Sequence, residues 1–211
     1  MRVVWLAVAV VAAVEYAPQP SDGALRIYLV RHGQTTWNVE RRIQGWSDPP
    51  LSAEGRRQAT RVGERLRRER VDAVYASTSS RAVDTARIIA GGRPIVITLP
   101  ELRERNFGIF EGARDDDPEF LRRMERTSDA LGNGETSEQF TARVERALAT
   151  IRAQRPSGRI AIVGHFGTNH VILRTLLQLT AAAANAMPQS SNDVYVIEVS
   201  PRAPPRVRTL R

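Results

Sequence analysis

The sequence contains no cysteine and no lysine, and only three of its 211 residues are histidine. Without cysteine, thiolate catalysis, disulfide bonds and thiolate metal sites are excluded, whereas the redox compartment stays open because zero cysteine fits either side of a membrane. All 31 basic residues are arginine, and the net charge is +8 at pH 7. A bias this complete is typical of genomic base composition rather than of selection for one binding face.

Aromatic residues are also scarce, at 6% of the chain. A nucleic-acid-binding face needs basic residues gathered on one side and interleaved with aromatic rings. Here arginines alternate with acids, as in residues Glu64–Arg70, which is typical of a solvated helix face. We therefore expect no nucleic-acid partner, and a basic surface that attracts small anionic substrates.

No apolar run is long enough for a comfortable membrane span, which needs about 20 residues. The run Val3–Val14 has the length expected of a signal-peptide core, roughly 7–15 residues. A signal, a membrane anchor, an extension packed on the domain, or a start codon assigned too far upstream each explain segment 1–24. We expect a cytoplasmic protein, with export or anchoring through this run as the alternative, and membrane contact only if it acts as an anchor.

From residue 25 onward, strand and helix patterns alternate along the chain. This alternation predicts an α/β fold, a three-layer α/β/α sandwich around a mostly parallel central sheet. One domain over residues 25–200 and a solvated C-terminal tail over 201–211 are expected. The predicted strands are 25–30, 71–76, 95–99, 159–163 and 193–199, and the predicted helices are 53–70, 81–90, 137–154 and 170–179.

Two of the three histidines follow short apolar strands. His32 comes after the strand pattern of residues 25–30, and His165 comes after residues 160–164. Because enzymes with parallel sheets commonly expose reactive groups where strands end, both histidines are candidates for chemistry. His170 lies on a predicted helix, and we interpret it as a structural residue.

Six motifs surround these histidines, in a fixed order along the chain. They are RHGQTTWN at 31–38, QGWSDPPLSAEGRRQA at 44–59, STSSRAVDTA at 77–86, LRERNFGIFEG at 102–112, GET at 134–136 and VGHFGTN at 163–169. Together they resemble the histidine phosphatase superfamily, with its phosphoglycerate-mutase-like fold, over roughly residues 25–200. The sequence at 107–112 is similar to that of the superfamily's short phosphatase branch, which includes broad-specificity acid phosphatases and ribazole phosphatases.

This resemblance implies a role for each motif residue. His32 corresponds to the nucleophile, Arg31 and Arg81 to the phosphate-binding arginines, and His165 to the second histidine. Glu104 corresponds to the catalytic acid, although Glu101 and Glu111 lie close by. Three further positions match those that hold the phosphoryl group or form the loop beside it: Asn38, Gln44 and Gly45.

The chemistry of these residue types fits the same roles. Arginine's planar fork can bind two phosphate oxygens at once, and a neutral imidazole can attack phosphorus. A carboxyl such as Glu104 can protonate the leaving alkoxide and then accept a proton from water. We expect no cofactor and no metal ion, because two guanidinium groups and an imidazole supply the charge stabilisation that magnesium gives elsewhere.

Two positions depart from the family pattern. Phe166 stands where the family usually has glycine after the second histidine, so its ring either narrows the phosphate pocket or offers the substrate an apolar contact. Ser79 replaces an apolar residue two positions before Arg81. Neither change removes a predicted catalytic group.

The resemblance leaves more than one activity open. The segment 113–133 is short, and its start contains Arg114 and three aspartates. Such a segment is poorly suited to bind a phosphoglycerate, which is itself strongly anionic. We therefore expect a phosphomonoester hydrolase acting on a small phosphorylated metabolite. A cofactor-dependent phosphoglycerate mutase and a non-catalytic phosphate-binding module are the alternatives, and the sequence gives neither the physiological substrate nor the oligomeric state.

Overall fold

A six-stranded sheet forms the centre of the domain in the computed structural model, which describes residues 23–210. The strands run in the order β3-β2-β4-β1-β5-β6. Their bounds are β1 Leu25–Arg31, β2 Ala73–Ser77, β3 Ile95–Leu99, β4 Gly158–Gly164, β5 Val194–Ser200 and β6 Ala203–Leu210. The pairs within β3-β2-β4-β1 are parallel and the two pairs that involve β5 are antiparallel, so the predicted mostly parallel sheet is confirmed.

Seven α-helices connect or follow the strands of the described part of the chain. Two of the longer ones begin at capping residues visible in the sequence: the hydroxyl of Ser52 accepts the Gly55 N–H, and Thr136 forms a capping box with Gln139. The bounds are α1 Thr36–Val39, α2 Ala53–Arg67, α3 Ser80–Ala90, α4 Pro118–Met124, α5 Ser137–Gln154, α6 Phe166–Leu177 and α7 Ala181–Asn185. Single 3₁₀ turns lie at Pro100–Leu102 and Gly108–Phe110.

Helices cover both faces of the sheet. In β1, Ile27 and Leu29 face a buried cluster built with α5 and α6, whereas Tyr28 and Val30 face one built with α2 and α3. This division follows from the alternation of side chains along a strand. The predicted three-layer α/β/α sandwich is therefore confirmed.

The register of the central strands brings the two histidine loops together. In the parallel pair β1–β4, Arg31 lies opposite Gly164, so His32 and His165 leave the sheet side by side. The backbone N–H of His32 continues the ladder by donating to the Gly164 carbonyl at 3.0 Å. The carboxyl edge of the parallel strands is therefore the place to look for a site, as expected for this kind of sheet.

The prediction of a solvated tail at 201–211 is wrong, because the backbone of this segment forms a strand. Strand β6 pairs antiparallel with β5 at the edge of the sheet, and most of its side chains are exposed. Pro204 and Pro205 hid the strand from sequence reasoning, because proline is tolerated only where no ladder hydrogen bond is needed, as on an edge strand. The domain extends to residue 210 rather than 200.

Other differences concern short or flanking elements. Helix α6 begins at Phe166, four residues before the predicted start, and α4 and α7 carry only seven and five residues, too few for a periodic pattern. The Asp115–Asp117 run is part of this structure: the carboxylate of Asp117 caps α4, and Asp115 pairs with Arg41 at 2.9 Å. Residues 1–22 lie outside the described residues, so the expectations for segment 1–24 stay predictions. No helix within residues 23–210 has both the length and the apolar character needed to cross a membrane.

Candidate active site

His32 is buried at the end of β1, and a hydrogen bond fixes its tautomer. Its Nδ1 lies 2.8 Å from the carbonyl oxygen of Gly33. Because a carbonyl can only accept, Nδ1 carries the proton and donates it, which leaves the lone pair on Nε2. A neutral imidazole held in this way presents Nε2 as a nucleophile.

Glycine is required at position 33 by close packing of the backbone. A methyl group there would overlap the carbonyl oxygen of Gly55 at the start of α2. The Gly33 N–H donates to the Thr85 hydroxyl at 3.0 Å, and that hydroxyl donates to the Arg81 carbonyl at 2.7 Å. The loop that holds His32 is thereby tied to both α2 and α3.

His165 lies against His32 and is buried without a hydrogen-bond partner. The two ring centroids are 5.1 Å apart and the rings cross at 62°. His165 is only 1% exposed, and neither of its ring nitrogens has a partner within residues 23–210. Because buried polar atoms are normally paired, an unpaired imidazole in this position points to a ligand.

Both imidazoles are neutral for the same reasons. Burial is the largest effect, and the positive charges of Arg81 and Arg31 add to it, so the pKa of His32 lies well below its usual 6.5. Burial, followed by the charge of Arg81, lowers the pKa of His165 in the same direction. At neutral pH the site therefore holds two uncharged imidazoles among positively charged guanidinium groups.

Arg81 and Arg31 are anchored through their terminal nitrogens. The Arg81 guanidinium donates to the carbonyls of Gly45 and Ser47, each at 2.8 Å, and that of Arg31 donates to the Gln189 carbonyl at 3.0 Å. The Nε of each is buried and has no hydrogen-bond partner among the described residues. Burial lowers the pKa of both arginines, the nearby charge of Glu104 opposes that shift, and both stay charged. Two oriented cations beside two neutral imidazoles form a site for a compact anion.

Glu104 is held at this site by two backbone N–H groups. One carboxylate oxygen accepts from Arg105 and the other from Gly167, both at 2.9 Å. The second bond ties Glu104 to the loop directly after His165. The structure thus brings together the five residues for which the sequence predicts a catalytic role, and their roles stay predictions.

The three remaining predicted site residues have different positions. The amide oxygen of Asn38 accepts from Thr35 in the cap of α1, which leaves its amide nitrogen as a donor. The side-chain oxygen of Gln44 is buried and finds no partner in the described part of the chain. Gly45 holds Arg81 through its carbonyl, with a φ of +54° that favours glycine, and a methyl group there would overlap the Glu111 carboxylate.

Glu111 is a functional candidate that sequence reasoning missed. Its carboxylate accepts four hydrogen bonds: from the Trp46 N–H at 2.7 Å, the Ser47 N–H at 2.6 Å, the Ser47 hydroxyl at 2.7 Å and the Phe107 N–H at 3.2 Å. These bonds fix the loop whose carbonyls hold Arg81. The sequence showed Glu111 only as a competitor of Glu104, because its partners in the Arg81-binding loop, Ser47 and Trp46, lie 64 and 65 positions away.

Two more supports lie in the loop before β5. The Gln189 carbonyl holds Arg31, and the Ser191 hydroxyl donates to the His32 carbonyl at 2.7 Å. No pattern in the sequence marks either residue.

Arg103 is a third cation near the histidines. Its guanidinium stacks on the Trp46 ring at 4.4 Å and donates to the Trp46 carbonyl at 3.1 Å. Its charge contributes to the lowered pKa of His165, after the larger effects of burial, Arg81, His32 and Arg31. Within residues 23–210, no group of three or more histidine, aspartate or glutamate side chains could hold a metal ion.

Known proteins carry the same fold and sequence pattern. The profile of the histidine phosphatase superfamily (branch 1) matches residues 27–210. A protein of Enterobacter sp. (strain 638) named "Probable phosphoglycerate mutase GpmB" is 40% identical over 167 residues, which cover 75% of this chain and 78% of that protein.

Solved structures agree with this assignment. The alpha-ribazole phosphatase of Shigella flexneri superimposes with a TM-score of 0.79 at 28% identity, covering 88% of this chain and 95% of the other. The mycobacterial glucosyl-3-phosphoglycerate phosphatase superimposes with a TM-score of 0.71 at 28% identity, covering 83% and 90%. These similarities support an enzyme with phosphatase or mutase activity. The chain belongs to branch 1 of the histidine phosphatase superfamily.

Proposed function

We propose that this protein is a phosphomonoester hydrolase that acts on a small phosphorylated metabolite through a phosphohistidine intermediate at His32. The observation that carries the proposal is the hydrogen bond from His32 Nδ1–H to the Gly33 carbonyl, which leaves Nε2 free for attack. A second imidazole lies 5.1 Å from the His32 ring, and the charges of two buried arginines act on it.

In the first half of the reaction, the lone pair of His32 Nε2 attacks phosphorus and a P–N bond forms. The P–O ester bond breaks, and its electron pair stays on the alcohol oxygen. That oxygen takes a proton from Glu104, because an unprotonated alkoxide is a poor leaving group.

Charge on the transferring group is stabilised by residues already in place. Arg31 and Arg81 face the phosphoryl oxygens as preorganised donors, and the neutral His165 imidazole carries one N–H that can donate to them. Phosphoryl transfer requires positioning and neutralisation of charge rather than covalent help from the protein. The proposed reaction therefore needs no divalent cation.

In the second half, a water molecule attacks phosphorus opposite Nε2. Its proton goes to the Glu104 carboxylate, the P–N bond breaks, and the electron pair returns to the imidazole. Inorganic phosphate and the resting enzyme result. His32 Nδ1–H donates to Gly33 throughout, which stabilises the positive charge on the phosphorylated ring.

Mutase activity is the second candidate, favoured by the name of the 40% identical relative. The two activities differ in whether water or an acceptor hydroxyl reaches the phosphohistidine first. Hydrolysis is preferred because residues 113–133 offer little to a glycerate carboxylate. The guanidinium of Arg114 pairs with Asp116 at 3.1 Å, and that of Arg123 pairs with Asp129 at 2.6 Å.

The test is release of inorganic phosphate from a panel of monoesters in the presence of a chelator. Wild type is compared with His32→Ala, and with Arg122→Ala as a control in an exposed ion pair with Glu119 on α4. Hydrolysis in wild type and control but not in His32→Ala is the expected result. Isomerised 3-phosphoglycerate with little free phosphate, after priming with the bisphosphate, would establish a mutase instead. Phosphate binding without turnover of any ester would leave a non-catalytic phosphate-binding module.

A further inference from the structure

A cleft of about 490 Å³ opens beside Glu104, between the 104–107 loop, α4 and α5 on one side and α6 and α7 on the other. Glu104 and Gly167 lie at the end next to the histidines. The volume falls in the range of about 300–1,000 Å³ that small-molecule pockets have. The cleft is therefore large enough for the organic part of a substrate, and it shares Glu104 with the predicted active site.

The walls of the cleft are mainly apolar. Three phenylalanine rings line it, those of Phe107, Phe140 and Phe166, together with Met124 and Val171. Its remaining lining combines Gly167 and two alanines with polar groups: three hydroxyls, His170, Asn185, Glu104 and two arginines. Such a surface favours an apolar ligand, because removing apolar area from water is the main source of its binding free energy.

Neither arginine of the cleft is free to bind a carboxylate. Arg105 uses its guanidinium in bonds to the carbonyls of Glu135 and Asp129 and to the Ser137 hydroxyl. Arg174 pairs with Glu145 at 3.6 Å. An acidic organic group in this cleft would lose water without gaining a cation, which is costly.

Phe166 stands at the junction of the cleft and the phosphate site. Its ring is 48% exposed although it follows the buried His165 directly. It packs edge to face on His170, with centroids 4.4 Å apart, and the Arg31 guanidinium lies 5.4 Å from its centre. Contacts with His170 and Arg31 therefore hold the ring between the cleft and one of the two predicted phosphate-binding arginines.

We infer that this cleft binds the alcohol part of the substrate, and that the preferred substrates are phosphomonoesters of alcohols with an extended apolar group. The inference rests on the proposed function, because Glu104 must protonate the leaving oxygen and so the alcohol departs on the Glu104 side. Short polyanionic esters, including phosphoglycerates, are disfavoured for the same reasons.

The test uses a series of n-alkyl phosphates from ethyl to hexyl. Since all are esters of primary alcohols, leaving-group acidity stays nearly constant and only apolar area changes. Full burial of a methylene group is worth about fourfold in kcat/KM, which corresponds to about 0.8 kcal/mol. We expect a rise of roughly two- to fourfold for each added methylene. A flat series with measurable turnover would overturn the inference and keep the phosphatase.

Variants at Phe166 locate the effect in the cleft. In Phe166→Ala the rise in kcat/KM for each added methylene should nearly disappear, whereas Phe166→Leu should keep most of that rise. This dependence on chain length compares substrates on one and the same protein. A change in total activity or in the folded fraction therefore does not alter it. An unchanged slope in Phe166→Ala would overturn the assignment of this ring to the alcohol pocket.

Binding of n-alkyl phosphonates, measured by calorimetry, separates the two proposals. These analogues carry a C–P bond that cannot be hydrolysed, and their affinity should rise with chain length as kcat/KM does. Rising affinity without any turnover of esters would support the cleft and overturn the phosphatase. Affinity that does not rise with chain length would overturn the cleft, whatever the turnover.

Discussion

Glu111 is the residue whose replacement tests how the phosphate site is built. Its carboxylate accepts the N–H groups of Trp46, Ser47 and Phe107 and the Ser47 hydroxyl. The same loop presents the carbonyls of Gly45 and Ser47 to Arg81. Glu111→Ala leaves these donors without their acceptor, and the loop loses the geometry that orients the guanidinium.

The size of the effect follows from the number and kind of bonds lost. A hydrogen bond to a charged group contributes about 1.5–3 kcal/mol, and such contributions do not add fully. Because the site is half-buried and water can replace some partners, we expect Glu111→Ala to lower the free energy of unfolding by about 2–4 kcal/mol. Loss of a positioned Arg81 should lower kcat/KM by a further tenfold to hundredfold, or about 1.4–2.7 kcal/mol.

The assay combines urea denaturation with steady-state kinetics on one good ester. Glu111→Gln keeps one carbonyl oxygen and should fall between wild type and Glu111→Ala in both measurements. Glu119→Ala is the matched control, because Glu119 is an exposed carboxylate paired only with Arg122 on its own helix. Wild-type stability and kinetics in Glu111→Ala would refute the reasoning. Loss of stability with unchanged kcat/KM would show that the loop does not position Arg81.

Three further outcomes follow from the geometry. The pKa values of His32 and His165 are lowered in the folded state, so the unfolded chain binds more protons than the folded protein below pH 6.5. The free energy of unfolding should therefore fall as the pH falls, by at most about 1.4 kcal/mol per histidine per pH unit. A urea-denaturation profile that stays flat between pH 6.5 and 5.5 would contradict this. Glu104→Gln should slow hydrolysis of alkyl phosphates far more than that of aryl phosphates, which need less protonation of the leaving oxygen, and equal losses in kcat/KM would count against Glu104 as the acid. Gly33→Ala should destabilise the fold by about 1–3 kcal/mol through overlap with Gly55, as thermal denaturation would measure, and an unchanged melting temperature would show that the loop can move aside.

The layered fold was predictable because its elements have strong periodic signals. Strand β3 and helix α5 have the predicted bounds, since each is flanked by clear turn or capping residues. Strand β6 was not predictable, because two adjacent prolines stand near its start and only Val207 and Leu210 are large apolar residues. The strand forms because its backbone pairs antiparallel with β5.

The site was predictable only where the residues of a single motif indicate a function by themselves. His32, His165 and Arg81 stand in local patterns that point to phosphate chemistry. The part played by Glu111 depends on loop residues brought to it by folding, and the carbonyl that anchors Arg31 belongs to Gln189, 158 positions along the chain. Such contacts arise from tertiary structure, so no spacing rule reveals them.

The most direct measurement is to trap the phosphoryl group on the protein. Wild type mixed with a rapidly turned-over ester, quenched within milliseconds and analysed by peptide mass spectrometry under alkaline conditions, should carry one phosphoryl group on His32 Nε2. The His32→Ala variant should carry none. A phosphoryl group on another residue, or hydrolysis with no covalent intermediate at any quench time, would contradict the account.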